Sequence, residues 1–165
     1  MKLISVKNAV AIFYYLMSVD NVITEVEQQK LDEIGAEIDA EKYMSYRDEI
    51  IERCEKQKLL VIDDEDYYDV ISEGVDKELY AEISVDEEVI ASRLLIWDLL
   101  VISYCDEEYH HDERRLIKHI VRLSGVPTSV FLTNRPRSRR RSAAKFSSAF
   151  RICASTSPIR TSPSP

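Results

Sequence analysis

Residues 20–27 read Asp-Asn-Val-Ile-Thr-Glu-Val-Glu and lie between two apolar segments with helical spacing. In the segment before them, apolar residues recur every three or four positions from Val6 to Met17, which predicts a helix that buries one broad face. Thr24 precedes Glu27 by three residues, so its hydroxyl and the carboxylate can form a capping box at the start of the next helix. These features predict a helical hairpin with an acidic connecting loop.

A shift of 86 positions superposes this hairpin on a second one later in the chain. Asp20 then falls on Asp106 and Glu27 falls on Glu113, so both loops contain an Asp followed seven positions later by a Glu. The apolar positions repeat as well: Val10 on Ile96, Phe13 on Leu99, Leu16 on Ile102, Leu31 on Ile117 and Ile34 on Ile120. All helical hairpins share such periodicity, but the coincident acids favour a true repeat. The sequence therefore predicts a compact all-α helical bundle of two related helical hairpins.

Between the two hairpins the chain also has helical character. Residues 39–79 place apolar side chains at mostly helical intervals, which predicts one or two amphipathic helices with a break at Gly74. The short apolar run Leu59–Ile62 has no clear pairing partner as a strand, and we assign it to the helical core. No stretch of the chain shows the alternation that predicts a strand.

The second hairpin begins with another capping-box spacing, from Ser84 to Glu87, which predicts that a long helix starts there. Its stretch 94–102 is apolar almost all round and is interrupted only by Asp98. We therefore expect it to be the central helix of the bundle. The last helix should end at Ser124-Gly125, with the glycine in a left-handed conformation.

The charges divide the chain into two parts. Residues 1–126 contain 14 Lys and Arg and all 30 Asp and Glu, whereas residues 127–165 contain eight basic residues and no acid. We expect one helical domain over 1–126, followed by a basic tail rich in Ser, Arg and Pro that is disordered or translated out of frame. The three cysteines are widely separated, which fits a reducing cytoplasm.

The two loops resemble a motif of the tellurite-resistance TerB-like family, Asp-Gly-x-(Ile/Val)-(Ser/Thr/Asp)-x-x-Glu before an apolar helix. The first loop reads Asp20-Asn21-Val22-Ile23-Thr24-Glu25-Val26-Glu27, and the second reads Asp106-Glu107-Glu108-Tyr109-His110-His111-Asp112-Glu113. Neither contains the glycine. Asn21 adopts the left-handed conformation of that glycine readily, whereas Glu107 does so reluctantly. The resemblance covers about residues 5–126 and implies a small all-helical fold of two related halves.

The resemblance also implies that the acidic loop positions bind a metal ion. If the halves pack about a pseudo-twofold axis, four acids converge, and carboxylate oxygens are the ligands that Ca²⁺ and Mg²⁺ prefer. The predicted metal ligands are Asp20, Glu27, Asp106 and Glu113. Helix caps and turn preferences explain the same acids without a metal, so both interpretations stay open.

Other candidate sites are weaker. His110, His111 and Cys105 lack the paired spacing of a zinc site, and we assign them to a surface loop. We find no nucleophile with a base, no phosphate-binding glycine loop and no His-Glu pair at metalloprotease spacing, which indicates a protein that is not an enzyme.

These inferences predict a non-enzymatic TerB-like domain that binds a divalent cation or a protein partner in a bacterial metal- or stress-response system. We identify no small-molecule substrate, and the uncharged stretch 8–19 is too short to span a membrane. One alternative is a helical scaffold whose acidic surface binds a basic protein without metal. Another is nucleic-acid binding through residues 127–165, with a strength that falls as salt rises.

Overall fold

Helices dominate the computed structural model, which describes residues 2–105 and 109–127. In chain order the elements are β1 (Leu3–Ser5), α1 (Val6–Ser18), α2 (Glu25–Ile38), α3 (Tyr43–Lys58), a 3₁₀ turn (Asp64–Asp66), α4 (Tyr67–Tyr80), β2 (Val89–Ala91), α5 (Ser92–Ser103) and α6 (His111–Leu123). The predicted all-α class is confirmed. The basic tail from residue 128 onward lies outside the described residues. Within them, no helix is both long and apolar enough to cross a membrane.

Helix α1 lies at the centre of the bundle. It packs against all five of the other α-helices named above, and residues 9–18 are buried without interruption. The prediction that residues 94–102 of α5 form the central helix is wrong, because Leu94 is 37% exposed and Asp98 is only partly buried. The small side chains of Ala9 and Ala11 let neighbouring helices approach α1 from several sides, and no charged residue lies in its buried part.

Two strands of three residues each precede α1 and α5, and the sequence analysis did not predict them. They pair antiparallel, with Leu3 opposite Ala91, Ile4 opposite Ile90 and Ser5 opposite Val89. The central pair, Ile4 and Ile90, is related by the shift of 86 positions, and both side chains are buried. Three residues are too few to give an alternating pattern, which explains why sequence periodicity missed both strands.

The hydrogen bonds at the ends of this sheet follow the same shift. The Val6 N–H donates to the Glu88 carbonyl at 2.9 Å, and the Ser92 N–H donates to the Lys2 carbonyl at 2.9 Å. Val6 corresponds to Ser92 under the shift, and Lys2 corresponds to Glu88. Such a reciprocal exchange is the pattern of a local twofold axis, here between the starts of α1 and α5.

The run Leu59–Ile62 is not in the core, so its assignment from sequence is wrong. It follows the end of α3, and the exposed fractions are 81% for Leu59, 58% for Leu60 and 87% for Ile62. The buried side of α3 is formed by Tyr43, Tyr46, Ile50 and Cys54. These buried residues recur every three or four positions. Because α3 ends at Lys58, residues 59–62 do not continue its buried side.

Two predicted boundaries also differ from the structure. Ser84 and Glu87 close a turn rather than start a helix: the Ser84 N–H donates to the Glu87 carboxylate at 3.3 Å, and the Glu87 N–H donates to the Ser84 carbonyl at 3.1 Å. The long helix starts at Ser92, because β2 pairs with β1 first. Gly74 lies inside α4 and does not break it. Its missing Cβ leaves room for the ring of Tyr15.

The predicted end of the last helix is confirmed. Helix α6 ends at Leu123, and Gly125 has a φ of 65°, in the left-handed region that glycine favours. Val126 follows it and is buried, so the chain packs back onto the bundle after the turn.

Candidate metal site at the two loops

The first loop turns tightly at the end of α1. Asp20 Oδ1 accepts a hydrogen bond from the Val22 N–H at 3.0 Å, and the Asn21 N–H donates to the Ser18 carbonyl at 2.9 Å. Asn21 has a φ of 65°, so it adopts the left-handed conformation expected at this position. The turn therefore fixes the Asp20 carboxylate at the end of α1.

The start of α2 is the predicted capping box. Glu27 donates its N–H to Thr24 Oγ1 at 3.2 Å, while Glu27 Oε2 accepts from the Thr24 N–H at 2.8 Å and from the Thr24 hydroxyl at 2.9 Å. Glu27 is only 5% exposed. The carboxylate is thus buried in the loop, where the positive end of α2 helps to stabilise it.

The start of α6 is built in a similar way, although a histidine replaces the threonine. Glu113 is 3% exposed, and its Oε2 accepts from the His110 N–H at 2.9 Å. Tyr109 directly precedes His110, and its ring lies 4.6 Å from that of Tyr104 between centroids. The Arg114 guanidinium lies 4.8 Å from the centre of the Tyr109 ring. The contact between Tyr104 and Tyr109 therefore joins the residue after α5 to the residues before α6.

The two loops meet at one end of the bundle. Asp20 Oδ2 lies 3.5 Å from His110 Nε2, so the end of α1 contacts the start of α6. A second observation agrees, because Val26 and Gln29 of α2 line an open surface groove together with Cys105, which begins the second loop. The packing of the halves therefore brings both acidic loops to the same region.

The structure describes three of the four predicted metal ligands. Asp20, Glu27 and Glu113 all belong to this region, whereas Asp106 lies outside the described residues. Among the residues that are described, no three His, Cys, Asp or Glu side chains form a group that could hold a metal ion. The metal site of four acids therefore stays a prediction.

Sequence reasoning missed the role of His110. We assigned it to a surface loop, and its side chain is indeed 47% exposed, but its ring faces Asp20. The shift of 86 positions indicated this role, because it places His110 on Thr24, the residue that caps the start of α2. A residue that starts a helix beside the acidic loop is a candidate neighbour of any ligand bound there.

Comparison with known proteins places the chain in a family. A family model described as tellurite resistance protein TerB matches residues 7–135, which is more than half of the chain and includes both loops. The match extends over residues 127–135, beyond the domain boundary predicted from composition. A search of curated proteins found no match, and a search of solved structures found none either.

Proposed function

Because the chain belongs to the tellurite-resistance TerB family, we propose that it is a non-enzymatic domain that binds a divalent cation where its two acidic loops meet. The observation that carries this proposal is the contact of 3.5 Å between Asp20 and His110. It supports the convergence of the loops, without which the predicted ligands cannot share an ion. The proposed ligands are Asp20, Glu27, Asp106 and Glu113.

Burial of the two glutamates supports a cation in this region. Glu27 and Glu113 are nearly inaccessible to solvent, and a buried carboxylate needs compensation by hydrogen bonds or positive charge. The capping hydrogen bonds and the positive helix starts stabilise both carboxylates, and a bound cation would add to this stabilisation. Capping does not exclude coordination, because each carboxylate has two oxygens with two lone pairs each. Oxygen ligands of this kind favour Ca²⁺ or Mg²⁺.

We place the domain in a bacterial metal- or stress-response system in the cytoplasm, acting together with a protein partner. The support is the description of the family as a tellurite-resistance protein. The second candidate function is a scaffold that binds a basic protein through its acidic surface without metal. It is favoured by the capping hydrogen bonds, which give Glu27 and Glu113 a structural role of their own.

Calorimetry separates the two functions. We expect the full chain to bind Ca²⁺, Mg²⁺ or Mn²⁺ and to unfold at a higher temperature when the ion is present. Asp20→Asn should weaken binding at least about tenfold, because it removes a charged oxygen ligand from the site. Asp86→Asn is the matched control, since Asp86 is an exposed acid in the turn before β2. Absence of binding for all three ions, or equal weakening by both variants, would contradict the metal proposal.

A further inference from the structure

Four consecutive apolar residues connect α3 to the 3₁₀ turn, and we name them the apolar turn, Leu59–Ile62. Leu59, Leu60 and Ile62 expose more than half of their surface, and Val61 is partly exposed. Single exposed apolar side chains are ordinary, but a contiguous group on a soluble domain indicates an interaction surface.

The apolar turn is held in a fixed conformation. Backbone N–H groups donate from Leu59 to the Glu55 carbonyl at 3.2 Å and from Val61 to the Lys58 carbonyl at 3.1 Å. Just before it, the side chain of Gln57 contacts α4, with its amide 3.5 Å from the Val70 carbonyl and its oxygen 3.3 Å from Lys77 Nζ. A surface that is already ordered loses little conformational entropy when it binds.

The charges around the apolar turn are ordered along the chain. Lys56 and Lys58 precede it, and Asp63, Asp64 and Asp66 follow it. In a contact between two copies whose twofold axis is perpendicular to the apolar turn, the two segments run in opposite directions. The basic side of each copy then faces the acidic side of the other, so the surface is complementary to itself.

We propose that the apolar turn is the contact surface of a homodimer, in which two copies pack Leu59–Ile62 against each other about a twofold axis. Lys56 of each copy then faces Asp63, Asp64 and Asp66 of the other. Both lysines form ion pairs, Lys56 with Glu52 at 2.8 Å and Lys58 with Glu55 at 2.9 Å, but Lys56 is the more available because its side chain is 69% exposed and that of Lys58 is 17% exposed. A turn of four residues makes a small interface, so the dimer is weak and forms at micromolar concentrations or above.

Sedimentation velocity of the full chain from about 1 to 500 µM tests the dimer. We expect the average mass to rise with concentration towards twice the monomer mass. Ile62→Ser should raise the dissociation constant at least about tenfold, because it removes an anchor of the contact. Val85→Ser is the matched control, since Val85 is fully exposed outside the apolar turn. Both variants should keep the unfolding temperature of the parent.

A charge exchange tests the orientation of the two copies. We expect Lys56→Glu and Asp64→Lys to weaken the dimer when introduced singly, and the double variant to recover most of the affinity. A monomer at every concentration overturns the proposal, as does self-association that Ile62→Ser leaves unchanged. Binding of a monomeric chain to phosphatidylcholine vesicles that Ile62→Ser abolishes also overturns it, in favour of a lipid surface.

Discussion

A missing side chain lets two helices pack closely at two places in the core. An ideal Cβ at Gly74 of α4 would lie 2.7 Å from Cζ of Tyr15, which is too close for any real contact. Gly35 of α2 has the same relation to the ring of Tyr43 at the start of α3. Sequence reasoning treated Gly74 as a helix break, because a local pattern does not include the ring that fills the space.

Replacement of this glycine should destabilise the protein. Alanine favours a helix interior over glycine by about 1 kcal/mol, but overpacking at a core contact costs about 1–3 kcal/mol. Because the methyl group meets a buried ring, we expect Gly74→Ala to lower the free energy of unfolding by up to about 2 kcal/mol net in urea denaturation. Ser72→Ala, two residues away in α4, should change it by less than about 0.5 kcal/mol. A stabilising Gly74→Ala would show that Tyr15 moves aside without cost.

Helix boundaries were predictable where both partners of a cap lie in one short segment. The start of α2 follows from Thr24 and Glu27, and the end of α6 follows from Gly125. The same spacing at Ser84 was misleading, because the chain first forms β2 and begins α5 only at Ser92. Strand β2 pairs with β1, which is far away in sequence, and no local pattern around Ser84 indicates this pairing.

Helix α5 also contains an acid whose charge opposes folding. Burial, and next the charge of Glu37 on α2, raise the pKa of Asp98 to about 7. The value in an unfolded chain is about 3.9, so the native state binds more protons between these pH values. At low pH Asp98 is protonated and does not oppose folding. As the pH rises from about 4 to 7, its ionisation lowers the free energy of unfolding.

Asparagine at this position removes the titration. We expect Asp98→Asn to raise the free energy of unfolding at pH 8 by about 2 kcal/mol and to flatten its decline between pH 4 and 7. Urea denaturation across this range measures both effects. Glu82→Gln, an exposed acid after α4, should leave the curve unchanged. If Asp98→Asn leaves the fall of the free energy of unfolding between pH 4 and 7 unchanged, another group causes it.

For the whole molecule, the sequence predicted a repeat of two helical hairpins but contained no information on the contacts between them. The shift of 86 positions aligned Asp20 with Asp106, and it predicted loops that meet only on the condition that the halves pack about a pseudo-twofold axis. The contact between Asp20 and His110 depends on how α1 and α6 pack, which is a property of the assembled bundle. The position of α1 at the centre depends in the same way on five neighbouring helices.

Removal of the basic tail should leave this assembly intact. We expect a chain cut after Arg135, where the family match ends, to unfold within about 2 °C of the full chain and to bind cations equally well. Differential scanning calorimetry and titration measure these quantities. Fluorescence anisotropy with a labelled DNA duplex tests the tail directly: salt-dependent binding by the full chain alone would support a nucleic-acid tether. A large loss of stability would instead assign the tail to the fold.

Pairing of the first strand with one 86 residues later has a consequence during translation. A ribosome has made the whole of α1 long before β2, α5 and α6 emerge, so this apolar helix waits without the partners that cover one of its sides. Nascent chains with exposed apolar segments are the substrates of chaperones and proteases. A product terminated before Ser92 lacks α5 and α6, so the side of α1 that these two helices cover stays exposed, and we expect such a product to be degraded.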